Sequence, residues 1–408
     1  MRIHDDPPMH LTYCLNVHPG ETWEENFAAV REHAVRVRDR VCGVSRPFGL
    51  GMRLSRRAAE QLATGSALDE FSSFLRDENL YVFTINGFPY GQFHDASVKQ
   101  NVYAPDWRTA ERRDYTVMLA DILAALLPEG VAGSISTVPG SYGRWITGRA
   151  DVEAMVAMLA ETARHLAGIR DRTGREICLA LEPEPDCFLE TADDAIAFLT
   201  GPMIEIGRSM AAEELLHHHI AVCYDTAHAA VAFEDPADAM ERMAQASVRV
   251  GKVHLSSAMR LSPTAEALKQ LEAFCDEVYL HQVKVRDGGR VTSFSDLPEA
   301  LDDAKPQAAP APAPLAASQS PHAEWRVHFH VPLFFESFGH IRSTSSLLTG
   351  AMPAAIAAAG VEHVEIETYT FDVLPPDLRP ADIADSIAAE YEWVLGQMFG
   401  SRSRPRMP

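Results

Sequence analysis

The chain has 408 residues, 47% of them hydrophobic, and its 57 acidic against 36 basic side chains leave a formal net charge of −21. A field of that sign repels polyanions, which excludes nucleic acid and acidic membrane surfaces as general partners. The six cysteines (14, 42, 178, 187, 223 and 275) form no C-x-x-C pair, and several lie in apolar segments, a pattern of buried thiols in a reducing compartment rather than a disulfide frame.

The N-terminal MRIHDDPPMH has no apolar signal segment. No uninterrupted apolar stretch reaches the roughly 18 residues of a spanning helix, so a cytoplasmic protein without direct membrane insertion is expected. HLTYCLNV opens the run of strand signals. A helix follows from about Thr22, where Thr22 and Glu25 make a capping box and Phe27, Val30, Ala34, Val37 and Val41 form one apolar stripe. FGLGMRL leads to a helix through Ala58 to Leu75, LYVFTIN to Tyr115–Leu127, GSISTVP to Val152–Leu166, and ICLALEP to a helical stretch from Ala192. IAVCYDTAH precedes a helix announced by Asp235 and Pro236, a good N-cap followed by proline at the first helical position. VRVGKVHLS feeds Ala265–Val278. Such alternation predicts parallel strands covered by helices.

Beyond this point the regularity fails. VKVRDGGRV carries a Gly-Gly turn signal and reads as a hairpin. Residues 303–323 are Ala/Pro-rich with no pattern able to bury a core, and read as a mobile internal loop. WRVHFHVPLF resumes strand character, Ser346–Ala359 reads as helix, HVEIETYT as strand, and Ile387, Tyr391, Val394, Leu395 and Met398 stripe a closing helix. Barrels of alternating strand and helix run to about 250 residues and grow by insertions, so one domain over 9–400 is expected. Nine strand candidates compete for eight barrel places, and KVHLSS, WRVHFHV or HLTYCLNV must be the extra one.

Four strands end in side chains suited to a metal: Glu182 in ICLALEPEP, Asp225 in IAVCYDTAH, His254 in GKVHLSS and Glu367 in HVEIETYT. Strand ends converge on one mouth of a closed parallel barrel, so an E, D, H, E series can become one coordination sphere. Oxygen-rich ligands with one imidazole suit one divalent ion, Mn²⁺ or Mg²⁺ first and Co²⁺ or Zn²⁺ as alternatives. The bland readings are a strand-end salt bridge for Glu182 and a packed core imidazole for His254. Glu184 shares the strand face of Glu182 and is a base beside the metal or a solvated loop acid. Glu365 shares the face of Glu367, and the one nearer the mouth should coordinate. His328 and His330 alternate on one face of WRVHFHV and compete with His254 for the imidazole place. His18, Asn86, His94 and Tyr142 follow strands where mouth loops belong, as substrate contacts or as ordinary turn residues.

These strand endings, with Arg260 after His254 and the pair Asp225/His228 in DTAH, resemble the xylose isomerase-like TIM barrels, which include sugar isomerases and epimerases. HLTYCLNVHPGETWEENF, FTINGFPYGQFH, STVPGSYGRW, WRVHFHVPLF and VEIETYTFDVLP are similar to the EboE family of metabolite traffic proteins, from Met9 to about Leu374. The resemblance implies a (β/α)8 barrel with an extra strand or hairpin. It also implies that Asp225 binds the metal, that His228 touches a substrate oxygen and that Arg260 steadies the substrate or the metal-bridging oxygens. A metal-dependent isomerase or epimerase acting on a small hydroxy-carbonyl or sugar-like metabolite is expected. Glu182 and Glu367, on opposed sides of the mouth, would be its acid/base pair, with proteins of a metabolite traffic system as partners. A noncatalytic metabolite-binding component is the alternative, and an endonuclease IV-like nuclease a remote one that the net charge disfavours. The sequence fixes no homo-oligomeric state.

Overall fold

The computed structural model describes residues 1–91, 99–275, 279–305, 320, 322–373 and 382–400. Its strands in chain order are β1 (Arg2–Asp5), β2 (Pro8–Tyr13), β3 (Phe48–Arg53), β4 (Leu80–Asn86), β5 (Gly133–Thr137), β6 (Ile177–Leu181), β7 (Ile220–Asp225), β8 (Val250–Leu255), β9 (Ser257–Leu261), β10 (Val283–Asp287), β11 (Arg290–Phe294), β12 (Glu324–Val331), β13 (Ser337–Phe338), β14 (Ile341–Ser343) and β15 (His363–Ile366). The main sheet runs β1-β2-β15-β8-β7-β6-β5-β4-β3. Every pairing from β2 onward is parallel, while β1 is an antiparallel flap on β2. A parallel bridge from Cys14 to Gly51 and a hydrogen bond from Thr12 Oγ1 to the Gly49 carbonyl at 2.9 Å draw β2 and β3 together. Eight parallel strands thus curl into a nearly closed α/β barrel. β3, β5, β6 and β7 are buried at every position, as strands must be when helices cover one face and the barrel interior the other.

WRVHFHV is the strand left over. It forms β12 in a second, six-stranded antiparallel sheet of order β11-β10-β12-β9-β14-β13. β8 and β9 are separated by Ser256 alone, so the chain leaves the barrel there and returns as β15, which pairs with both β2 and β8. No place remains between them for β12. The Gly-Gly hairpin forms as β10–β11.

Local signals set several helix boundaries. Thr22 and Glu25 make the reciprocal capping box, and the Asp235 side chain accepts from Ala237 N and Asp238 N with Pro236 following. The segment read as one helix over Ala58–Leu75 is two, Arg56–Leu62 and Ala67–Asp77. Gly65 between them sits at φ +65°, a left-handed conformation that ends a helix. The helix expected to reach Val278 stops at Leu271, with a 3₁₀ turn to Phe274. Most of the Ala/Pro-rich segment, 306–319 and 321, lies outside the described residues. No helix among the described residues is long and apolar enough to cross a membrane.

The closing helix Ile383–Trp393 reaches back to the mouth through Glu390, whose Oε1 accepts from Leu333 N at 3.1 Å and Thr368 Oγ1 at 2.7 Å. Burial pushes this carboxyl from 4.5 up to about 7. The native state therefore holds a proton that the unfolded chain has released, and stability falls as pH rises from about 4.5 to 7. At 1.36 kcal/mol per pKa unit the penalty is about 3 kcal/mol above pH 7. Glu390→Gln is expected to raise the urea midpoint at pH 8 and to leave it nearly unchanged at pH 5. An equal shift at both pH values would reject the assignment.

Candidate metal centre

The four expected ligands come from consecutive barrel strands at their C-terminal ends. Glu182 follows β6, Asp225 ends β7, His254 lies on β8 and Glu367 follows β15. Register sets them side by side, because Asp225 pairs with His254 and Glu365 pairs with His254 from the other side. Their donor atoms all lie within 4.8 Å of one another and all four residues are buried. His254 Nδ1 faces Glu182 Oε1 at 3.0 Å, Glu367 Oε2 at 2.9 Å and Asp225 Oδ2 at 3.8 Å.

The other ring nitrogen, Nε2, lies 3.0 Å from Glu365 Oε2. Glu365 in turn contacts Lys252 Nζ at 2.5 Å, both groups fully buried in the barrel interior. Period-2 alternation explains this layer, since Lys252 and His254 point inward together, as do Glu365 and Glu367. Gly51 on β3 leaves the room that Glu365 takes; a Cβ there would stand 1.7 Å from Glu365 Oε1. Glu365 thereby orients the His254 ring and leaves Nδ1 for the mouth.

Charge balance argues for a cation. Burial raises the Glu182 carboxyl, reinforced by the nearby Glu367. For Asp225 burial also pushes upward, but His228, His330 and His254 with the His228 backbone N–H outweigh it and hold the group at about 2. Burial would lower the His254 imidazole, yet Cys223, Glu367 and Glu182 keep it well above its ordinary value. Three buried carboxylates thus crowd one imidazole, and a metal ion there would supply the positive charge that they favour. Glu182 Oε2 is buried with no hydrogen-bond partner among the described residues. Three carboxylates and one imidazole fit a single divalent ion.

A cavity of about 60 Å³ opens beside the cluster, lined in part by Glu182, Glu184, His228, His328, His330 and Glu367. Glu184 is buried, accepts from Tyr103 Oη at 2.7 Å, and burial holds its carboxyl well above the usual range. His328 and His330 arrive on β12, whose register against β9 slips between Val327 and Val331. That irregularity seats both rings over the mouth. Burial and the neighbouring His228, His330 and His281 push the His328 imidazole well below its ordinary value.

The other expected site residues divide. Asn86 lines the cavity and donates to Glu367 Oε1 at 2.8 Å. His18 is buried beside Tyr13 at 3.1 Å and stacked on His33, and it does not line the cavity. Tyr142 stacks on Tyr103 behind the wall. His94 lies outside the described residues. Arg260, expected at the substrate, sits on β9 opposite Arg326 and Arg342 and borders clefts with Arg342 away from the metal cluster. Six residues of extended chain carry it up to about 20 Å from His254. His328 and His330 join His228 in a separate group rather than taking the place of His254. Sequence reasoning missed Asn16, which donates to Glu367 Oε1 at 2.9 Å, and Tyr103 and Gln282, which support Glu184 and His328. Asn16 was legible as a polar residue just past the end of β2; nothing in the sequence marked the other two.

No family model matches the chain, and no curated protein matches it. Among solved structures, it resembles a xylose isomerase-like TIM barrel protein from Mycobacterium smegmatis in complex with magnesium, at 13% identity over 95% of each chain with a TM-score of 0.49. It also resembles the probable 3-DHS dehydratase AsbF from Bacillus anthracis, at 12% identity over 95% of this chain and 99% of that one, TM-score 0.47. An L-ribulose 3-epimerase matches at 13% identity over 94% and 91%, TM-score 0.47. At such identities and scores the likeness carries no function, and what the centre does is read from its own side chains.

Proposed function

We propose that the protein is a divalent-metal-dependent enzyme of the isomerase or epimerase type, acting on a small hydroxy-carbonyl or sugar-like metabolite. The observation that carries this reading is the buried Glu182–Asp225–His254–Glu367 set opening on a cavity that also holds the raised carboxyl of Glu184. A divalent ion held by those four side chains, with Mn²⁺ or Mg²⁺ suiting them best, would clamp adjacent substrate oxygens and acidify the neighbouring C–H.

The chain's own groups do the rest. Asn16 and Asn86 both donate to Glu367 Oε1, which leaves Oε2 as the oxygen turned to His254 and the cluster. Glu182 keeps Oε2 unpartnered and has a raised proton affinity, as a base working near neutrality needs. Glu182 and Glu367, borne at the ends of strands three places apart, meet at the same His254 nitrogen and are the acid/base pair of this reading. Glu184, which accepts from Tyr103 Oη and whose carboxyl burial raises, stands beside them as a further proton donor.

The EboE resemblance supports a role in preparing a metabolite for traffic, with proteins of that system as partners. The −21 charge and a cavity wall whose cations among the described residues amount to Lys99 do not suit a nucleic-acid backbone. The test is incubation with Mn²⁺ and a panel of ketoses and aldoses in D₂O, followed by NMR. Deuterium is expected next to the carbonyl, abolished by chelator and slowed about 10²-fold or more in Glu182→Gln, the usual worth of a general base. Saturable binding without exchange would favour the noncatalytic binding component.

A further inference from the structure

The second sheet lines up cations across its strands. Lys284 on β10 pairs with Arg326 on β12, Arg326 with Arg260 on β9, and Arg260 with Arg342 on β14. Residues directly opposite one another in an antiparallel ladder share a face, so four cationic side chains stand in one row. Like charges so placed destabilise a sheet unless something of opposite sign answers them.

Half of the row is answered. Lys284 meets Glu190 and donates to Ser293 Oγ at 2.9 Å. Arg326 donates to Glu324 Oε1 at 2.7 Å and to the Ala230 carbonyl at 2.6 Å, and its guanidinium lies 4.2 Å from the centre of the Phe233 ring. Arg260 and Arg342 have nothing comparable, since neither side chain makes a hydrogen bond or ion pair with any described residue. Nε of Arg260 is buried as well as unpartnered. A head group partly withdrawn from water attracts an anion more strongly than a fully solvated one. With a net charge of −21 the chain has carboxylates in surplus, yet none is placed within reach of these two guanidiniums.

Both arginines border two clefts, of about 250 and 350 Å³. Thr264 brings a hydroxyl to the smaller cleft and Ser346 to the larger. Two acids also border them. Glu324, in the smaller cleft, is engaged by Arg326, and Glu336, alone in the larger, does not offset two guanidiniums.

We propose that Arg260 and Arg342 bind a phosphate group, free or carried by a small organic ester, at a site on the second sheet apart from the metal centre. Guanidinium forks match phosphate oxygens in both geometry and charge, and two of them on adjacent strands make a clamp. The clefts have room beyond a bare phosphate. Phe334, 40% exposed, and Trp393 give the larger one an apolar wall for the carbon part of an ester. None of the four metal ligands takes part, so the site stands independently of the isomerase reading above.

Calorimetric titration at low ionic strength tests the site, using the full-length chain dialysed free of divalent metal and, as probes, inorganic phosphate and phenyl phosphate. Binding is expected, and Arg260→Gln and Arg342→Gln should each weaken it about 10-fold or more, as loss of hydrogen bonds to a charged group does. Arg342 is exposed, so its variant reads the site even if Arg260→Gln disturbs the sheet. Arg290→Gln removes the same charge from an exposed position on β11 and should leave the affinities unchanged. Tighter binding of phenyl phosphate, lost in Phe334→Ala, identifies an ester as the ligand, whereas equal affinities identify free phosphate. Three results would overturn the proposal: no binding of either probe, equal weakening in Arg290→Gln, or binding that survives both arginine substitutions, as it would with phosphate seated at the metal centre.

Discussion

His254→Ala and Glu367→Gln are each expected to empty the carboxylate-rich centre of Mn²⁺, whereas Glu365→Gln should keep the ion and bind it about 10–100-fold more weakly. The contrast follows from position. His254 Nδ1 and the Glu367 carboxylate face the cluster directly, while Glu365 touches only the far nitrogen of His254. Losing a ligand removes a bond and leaves the remaining buried carboxylates to repel one another. Losing Glu365 frees the ring to turn and leaves Lys252 without its carboxylate, but keeps all four ligands in place. Competition against a chelator of known affinity reads both effects. His254→Ala with unchanged Mn²⁺ content would move the imidazole role elsewhere, and equal losses in all three variants would mean that Glu365 matters through folding alone.

Lys252→Met carries the largest expected cost in stability. Lys252 and Glu365 are both fully buried and in contact. Burial alone would push the two groups toward neutrality, but each outweighs that for the other, raising the lysine and lowering the glutamate. Breaking one half of such a pair strands a charge in the barrel, worth about 3–5 kcal/mol. Replacing both with neutral groups of similar size is often close to neutral. Lys252→Met should therefore lower the urea midpoint sharply, and Lys252→Met/Glu365→Gln should recover most of it while still binding Mn²⁺ weakly. A single variant as stable as the parent would show that the pair is not charged in the native protein.

The sequence by itself named the four candidate ligands and the strands that bear them. Apolar runs ending in Glu182, Asp225, His254 and Glu367 name strand ends, and strand ends of a parallel barrel share a mouth. Period 2 likewise put His328 and His330 on one face, and the two rings do meet. Thr22, Asp235 and the Gly-Gly hairpin set local boundaries through contacts a few residues apart.

Only the tertiary structure decided which candidate strand stays outside the barrel, because period says which face a residue occupies and not which strand lies beside it. The pairing of β15 with both β2 and β8 settled that. The same long-range pairing carried Arg260 away on β9 and brought Asn16 to Glu367, 351 positions distant. It also fixed which nitrogen of His228, His254 and His330 is held from behind, since the carbonyls and the carboxylate that hold it come from remote segments. Spacing along the chain tells which side chains can bind a metal; the partners that orient them exist only once the barrel has closed.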